Sequence, residues 1–106
     1  MRFRFTDILR GLVAQPIMWN AGYRLGFLSP NVTQDRNPHD LLDDFESELD
    51  CYLLPERIVE VVEAALHSDA DISENMLFAY EALADEGIVP AAELAGVEAW
   101  LADVAA

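Results

Sequence analysis

Two pairs of histidine and carboxylate are the residues whose spacing could do chemistry. His39 with Asp43, and Glu63 with His67, stand one helical turn apart. Such a pair can offer two ligands to one metal ion, and two pairs could complete a four-ligand site in a helical metal-dependent enzyme. The plainer reading is favoured, because neither pair forms the Glu-x-x-His unit of helical di-iron centres and a histidine near a helix end is commonly just solvated. No metal or cofactor is therefore expected. Clustered carboxylates could also do acid–base work, but that needs a pocket that pushes two pKa values apart, and no segment marks one. The chain has no P-loop, dinucleotide fingerprint, nucleophile elbow, zinc-ribbon spacing or calcium loop. Cys51, the single cysteine, sits among acids that disfavour its thiolate. These absences point away from an enzyme.

Charge is the stronger signal. The 106 residues carry a formal net charge of −14, with six arginines and no lysine. Residues 1–24 are net +3, and residues 25–106 are net −17. A surface of that sign repels nucleic acid and anionic lipid and attracts cationic protein surfaces. The densest part is Asp40, Asp43, Asp44, Glu46, Glu48, Asp50, Glu56, Glu60 and Glu63, which is the expected partner-binding face. Rows of carboxylates can imitate phosphate spacing and compete for a nucleic-acid-binding groove. A solvated face that only keeps the protein soluble is the alternative.

The basic end has two readings as well. Arg2, Phe3, Arg4, Phe5, Arg10, Trp19, Tyr23 and Arg24 could form a cationic aromatic patch. The favoured reading makes the aromatics core and sets the arginines against acids, which predicts Arg2 and Arg4 lying on carboxylates.

Positioning these groups falls to helices. Thr6 or Asp7 can cap a first helix with Ile8, Leu9, Leu12 and Val13 on its apolar side. Pro16 should kink that helix or start another, giving two short helices, with Gly26 as the left-handed closing residue. Phe27 to Arg36 reads as a loop pinned to the core by Phe27, Leu28 and Val32. Asn37 and Pro38 then open a helix whose apolar stripe is Leu41, Leu42, Phe45, Leu49, Tyr52 and Leu53. Pro55 opens the next, Glu56 to His67, burying Ile58, Val59, Val61, Val62, Ala65 and Leu66. Asp71 and Glu74 have capping-box spacing before a helix from Ile72 to Gly87, apolar on most sides and hence central. Pro90 starts the last helix, with Leu94, Val97, Leu101 and Val104 as its stripe.

The expected fold is thus all-α: one small domain over residues 1–106, of about five to six helices, bundle-like or orthogonal. No apolar run approaches the roughly 20 residues of a membrane span, polar residues interrupt any secretory core, and one cysteine fits a reducing cytoplasm. These features together predict a non-enzymatic module that binds a basic protein surface, such as a nucleic-acid-binding protein or nuclease. Small acidic inhibitors of phage and bacteria, including anti-CRISPR proteins, other DNA mimics and immunity proteins, share this charge and size, a likeness of class that no motif carries. The alternative is a structural or regulatory subunit, a homodimer for instance, that assembles through apolar surface around Phe78, Tyr80 and Trp100.

Overall fold

Helix α1, Thr6–Asn20, runs unbroken through Pro16. Leu9, Val13, Pro16 and Ile17 recur every three to four residues and are all buried, so packing on both sides of the proline holds the helix together despite the missing backbone donor. One helix therefore stands where two short ones were expected. It ends in a Schellman motif, with the Gly22 N–H donating to the Trp19 carbonyl at 3.0 Å and Tyr23 N–H to that of Met18 at 2.9 Å. Gly22, at φ +92°, is the left-handed residue there, and not Gly26.

The computed structural model describes residues 6–35, 40–47 and 49–105. After α1 come α2 (Leu41–Ser47), α3 (Asp50–Leu53), α4 (Pro55–Ala65), α5 (Ile72–Asp85) and α6 (Ala91–Ala105). All six elements among the described residues are helices. Among the same residues no helix is long and apolar enough to cross a membrane.

The acidic segment differs most from expectation. A continuous helix over it was expected, but it divides into α2 and α3, joined by tight turns in which Leu49 N–H reaches Glu46 and Tyr52 N–H reaches Leu49. Asp40 caps α2, its Oδ1 accepting from Leu42 N–H at 2.9 Å and Asp43 N–H at 3.3 Å. Asn37 and Pro38, the expected start, lie outside the described residues. The stripe expected to face inward is exposed, Leu41 by 81% and Leu42 by 80%, with Phe45, Tyr52 and Leu53 also open. Phe27 and Leu28, expected to pin the preceding loop, are 90% and 93% exposed. Short helices draw most of their stability from a packed face, and without one this segment does not hold a single helix.

The core belongs to the other four helices. Helix α5 packs on α1, α4 and α6, and α1 packs on α4. Leu9, Val13 and Ile17 meet Ile58 and Val62 from α4, Ala79 and Leu83 from α5, and Val97 from α6. Helix α4 opens at Pro55 as expected and buries Ile58, Val61 and Val62. Helix α5 is capped by Asp71, which accepts from Glu74 N–H at 2.8 Å. It closes at Gly87, φ +74°, where Ile88 N–H returns to the Leu83 carbonyl at 2.9 Å. Ile88 and Val89 then fold back into the core and deliver the chain to Pro90 and α6.

One polar residue is buried with them. Asn75 is 1% exposed and satisfies its amide completely against neighbouring elements. Its Oδ1 accepts from His67 N–H at 2.9 Å, and its Nδ2 donates to the His67 carbonyl at 3.1 Å and to Asn20 Oδ1 at 3.2 Å. This amide joins the end of α1, the turn after α4 and the first turns of α5. The His67 ring stands edge-on to Phe78, with centroids 4.9 Å apart.

Candidate functional site

Because α5 separates α1 from α6 on one side of the bundle, a groove opens between them with a volume of about 680 Å³. Its floor is apolar: Val13 and Ile17 from α1, Met76 from α5 and Val97 from α6. Arg10 of α1 and Glu93 of α6 stand across it from one another, Trp100 lies at the rim with its indole half exposed, and Tyr80 comes up from α5. Burial raises the Tyr80 phenol above its usual pKa, Glu93 adds to that rise, and Arg10 opposes it. The hydroxyl thus stays protonated, within the fields of one cation and one carboxylate. An apolar cleft with a few convergent polar groups is the usual form of a small-ligand site. Here the set is one donor cation, one acceptor carboxylate, one phenol and one aromatic plate.

The expected partner-binding carboxylates are distributed differently. Asp40, Asp43 and Glu46 are exposed on or beside α2, and Asp44 is half-buried. Glu56, Glu60 and Glu63 are exposed along one side of α4. Glu48 and the side chain of Asp50 lie outside the described residues. The two acidic helices are separated by α3, and α2 makes no substantial contact with the bundle. Arg57 sits at 3.5 Å from Glu60 and 2.7 Å from Glu86, and the Glu86 hydrogen bond, foremost, raises its pKa. Glu60 is therefore partly neutralised.

Among the described residues no cluster of three or more His, Cys, Asp or Glu side chains could hold an ion. His67 instead closes α4 beside Asn75, and His39 lies outside the described residues. Arg2 and Arg4, expected on carboxylates, also lie outside them, as do Phe3 and Phe5. Trp19 and Tyr23, expected in the core, are 53% and 59% exposed. Of the three aromatics expected at an assembly surface only Trp100 is open, since Tyr80 is buried and Phe78 is covered by His67.

Arg10, Tyr80 and Glu93 were not read from the sequence as one group. Seventy residues separate Arg10 from Tyr80 and thirteen more precede Glu93, so no local spacing reports their meeting. Asn75 did leave a signal: Asn75, Ala79 and Leu83 follow each other at four-residue steps on one buried stripe.

Residues 4–105 match the family model of the STELLO glycosyltransferases. No curated protein and no solved structure matches the chain. The family match overturns the expectation of a non-enzymatic inhibitor of the DNA-mimic, anti-CRISPR or immunity-protein type, and with it the reading as no enzyme at all. The physical reason for the error is that net charge reports solubility and the sign of encounter, while catalytic residues gathered from distant helices leave no trace in it. With the match running over nearly its whole length, the chain belongs to the STELLO glycosyltransferase family.

Proposed function

We propose that this chain acts in glycosyl transfer and that the groove between α1 and α6 is where it meets carbohydrate. The observation that carries the reading is the family match over residues 4–105. The groove supports it chemically. Trp100 offers an apolar plate for the C–H face of a sugar ring, and Arg10 offers a planar cation for hydroxyl or phosphate oxygens. Glu93 can accept hydrogen bonds from sugar hydroxyls. In transfer, an acceptor hydroxyl oxygen bonds to the anomeric carbon as the bond to the leaving group breaks. The hydroxyl proton then needs a base, the role Glu93 would fill. A cation at Arg10 would stabilise charge on a departing phosphate.

The test is a titration of isotope-labelled protein with nucleotide-activated sugars, paired with an assay for released nucleotide. The chain has two tryptophans, so the Trp100 indole resonance should move while that of Trp19 stays as an internal reference. Arg10→Ala and Glu93→Gln should each abolish turnover with the fold intact. Absence of both binding and nucleotide release across uridine and guanosine diphosphate sugars would reject the reading.

The remaining carboxylates support a contact with a basic protein surface, since Asp40, Asp43, Glu46, Glu56 and Glu63 face solvent. Such a contact would weaken steeply as salt is raised. The single Cys51, half-buried beside the bundle, fits a reducing cytoplasm.

A further inference from the structure

The groove between α1 and α6 has two unlike ends. Asn20 meets Asn75 where α1 finishes and Arg10 acts on Tyr80 further back, so α1 and α5 run antiparallel; the turn after α5 then brings α6 back with Glu93 beside Tyr80. Arg10, Tyr80 and Glu93 therefore share one end, and Ile17, Ile72 and Trp100 the other. Seven residues along α6 separate Glu93 from Trp100, which at the helical rise is ~10 Å, longer than one sugar ring. The polar end is unsatisfied. Tyr80 is 5% exposed, yet among the described residues its hydroxyl has no hydrogen-bond partner and its oxygen is not sealed inside the protein, so it opens into the groove. Among the same residues neither Arg10 nor Glu93 has an ion pair. The rest of the wall is apolar, and Gly96 leaves a gap in it, with nothing within 4 Å of where its Cβ would be. The hollow on the outer side of α1, about 400 Å³ and lined by Ile8, Leu12 and Trp19, has no charged end.

We propose, resting on the reading of the groove as a carbohydrate site, that the acceptor it takes is a single-chain amphiphile with a neutral, hydroxylated head, of the glycolipid class. Arg10 and Tyr80 donate to head oxygens, Glu93 accepts from a head hydroxyl, and the hydrocarbon chain lies over Met76 and Val97 toward Trp100. A nearly buried phenol without a partner costs free energy that such a head restores, and an apolar floor is best covered by a hydrocarbon chain. Charge selects the head. Arg10 and Glu93 sum to zero and the whole chain is −14, so an anionic head gains one cation, meets one carboxylate and is repelled by the surroundings. In transfer, the head hydroxyl oxygen bonds to the anomeric carbon of a nucleotide-activated sugar, its proton passes to Glu93, and the nucleoside diphosphate leaves with the electron pair of the broken bond.

Alkyl glucosides below their micellar concentration test this, with the Met76 methyl resonance of isotope-labelled protein as the reporter. Octyl glucoside should shift it, free glucose should not, and lengthening the chain from hexyl to octyl should tighten binding ~10-fold. Octyl sulfate, with the same chain and an anionic head, should bind more weakly. Gly96→Leu fills the gap with a better helix former, so the fold is kept while octyl glucoside binding falls ~10-fold or more. Tyr80→Phe should weaken it ~5-fold through the head alone. Equal affinity for the two chain lengths, tighter binding of octyl sulfate, or undiminished binding by Gly96→Leu overturns the proposal. If alkyl glucosides fail while a uridine or guanosine diphosphate sugar still binds, the amphiphile falls and the carbohydrate reading stands; if neither binds, both fall.

Discussion

Replacing Asn75 by alanine removes the single polar hub of the bundle. Its amide makes three hydrogen bonds, two to the His67 backbone and one to Asn20. At a net contribution of ~1 kcal/mol each the upper figure is ~3 kcal/mol. Both partner residues are exposed, so water can replace part of what is lost, which brings the expectation to about 2–3 kcal/mol. For a domain of this size that lowers the melting midpoint by ~10 °C. Urea unfolding followed by far-ultraviolet circular dichroism measures it, with an unchanged slope marking a pure stability effect. Asn20→Ala serves as the control, since it removes only the 3.2 Å bond at an exposed residue and should cost under about 1 kcal/mol.

Asn75→Asp sharpens the test. One carboxylate oxygen can still accept from His67 N–H, but the other then faces the His67 carbonyl and Asn20 Oδ1, both acceptors. Burial and these acceptors raise the new carboxyl above its unfolded value of about 3.9. The neutral acid is the form the fold tolerates, so stability is fully present below about pH 3.9 and is lost as pH rises through the raised folded value. Relative to the parent, this variant should be worst at neutral pH and recover on acidification. An Asn75→Ala variant within about 0.5 kcal/mol of the parent, or an Asp variant whose deficit does not depend on pH, would refute the assignment of the amide as a structural hub.

Three further outcomes follow from local geometry. Tyr80 is held protonated by burial, so its stabilising effect is complete below its ordinary pKa and falls as pH rises from there to the raised folded value; tyrosinate absorbance should show a late component, and Tyr80→Phe should remove it. Gly87 sits at φ +74° with open space where a Cβ would be, so Gly87→Ala should cost ~1 kcal/mol from backbone strain alone, whereas Gly96→Ala, inside α6 and equally uncrowded, should stabilise by ~0.5–1 kcal/mol in the same urea titration. The Arg57 to Glu86 pair is about half exposed at both ends, so Glu86→Gln should leave the unfolding midpoint unchanged within error once salt is high, and a large shift would mean the pair is shielded.

Helix type and the core of α4, α5 and α6 were legible because period, caps and closing residues agree there: Pro55, Asp71 and Gly87 each do what their chemistry dictates. The count of six helices was met for mixed reasons, since the break expected at Pro16 is missing and one unexpected break lies between α2 and α3. Both errors have one cause. Periodicity tells that a helix has an apolar face; it does not tell whether anything covers it. Around Pro16 the face is packed, and the packing outweighs a lost hydrogen bond. Along Leu41, Leu42 and Phe45 the face stays largely exposed, with Tyr52 beside Phe45 at 5.7 Å, and the helix stays short. The groove was illegible for a different reason, because its polar groups come from three helices and meet only in the folded state.

Helix α1 holds the cation of the groove. Its inner stripe faces the core, Arg10 and Val13 face the groove, and Ala14 and Met18 line both hollows beside it. A helix of 15 residues packed on one side cannot turn without moving its core stripe. The packing of that stripe therefore sets where Arg10 stands against Glu93. Leu9 is 2% exposed and lies in the core outside the groove, so Leu9→Ala should cost about 2–5 kcal/mol of stability and weaken binding of a nucleotide-activated sugar with both charged groups intact. A variant that is destabilised in urea but titrates with unchanged affinity would mean that the core does not set the groove.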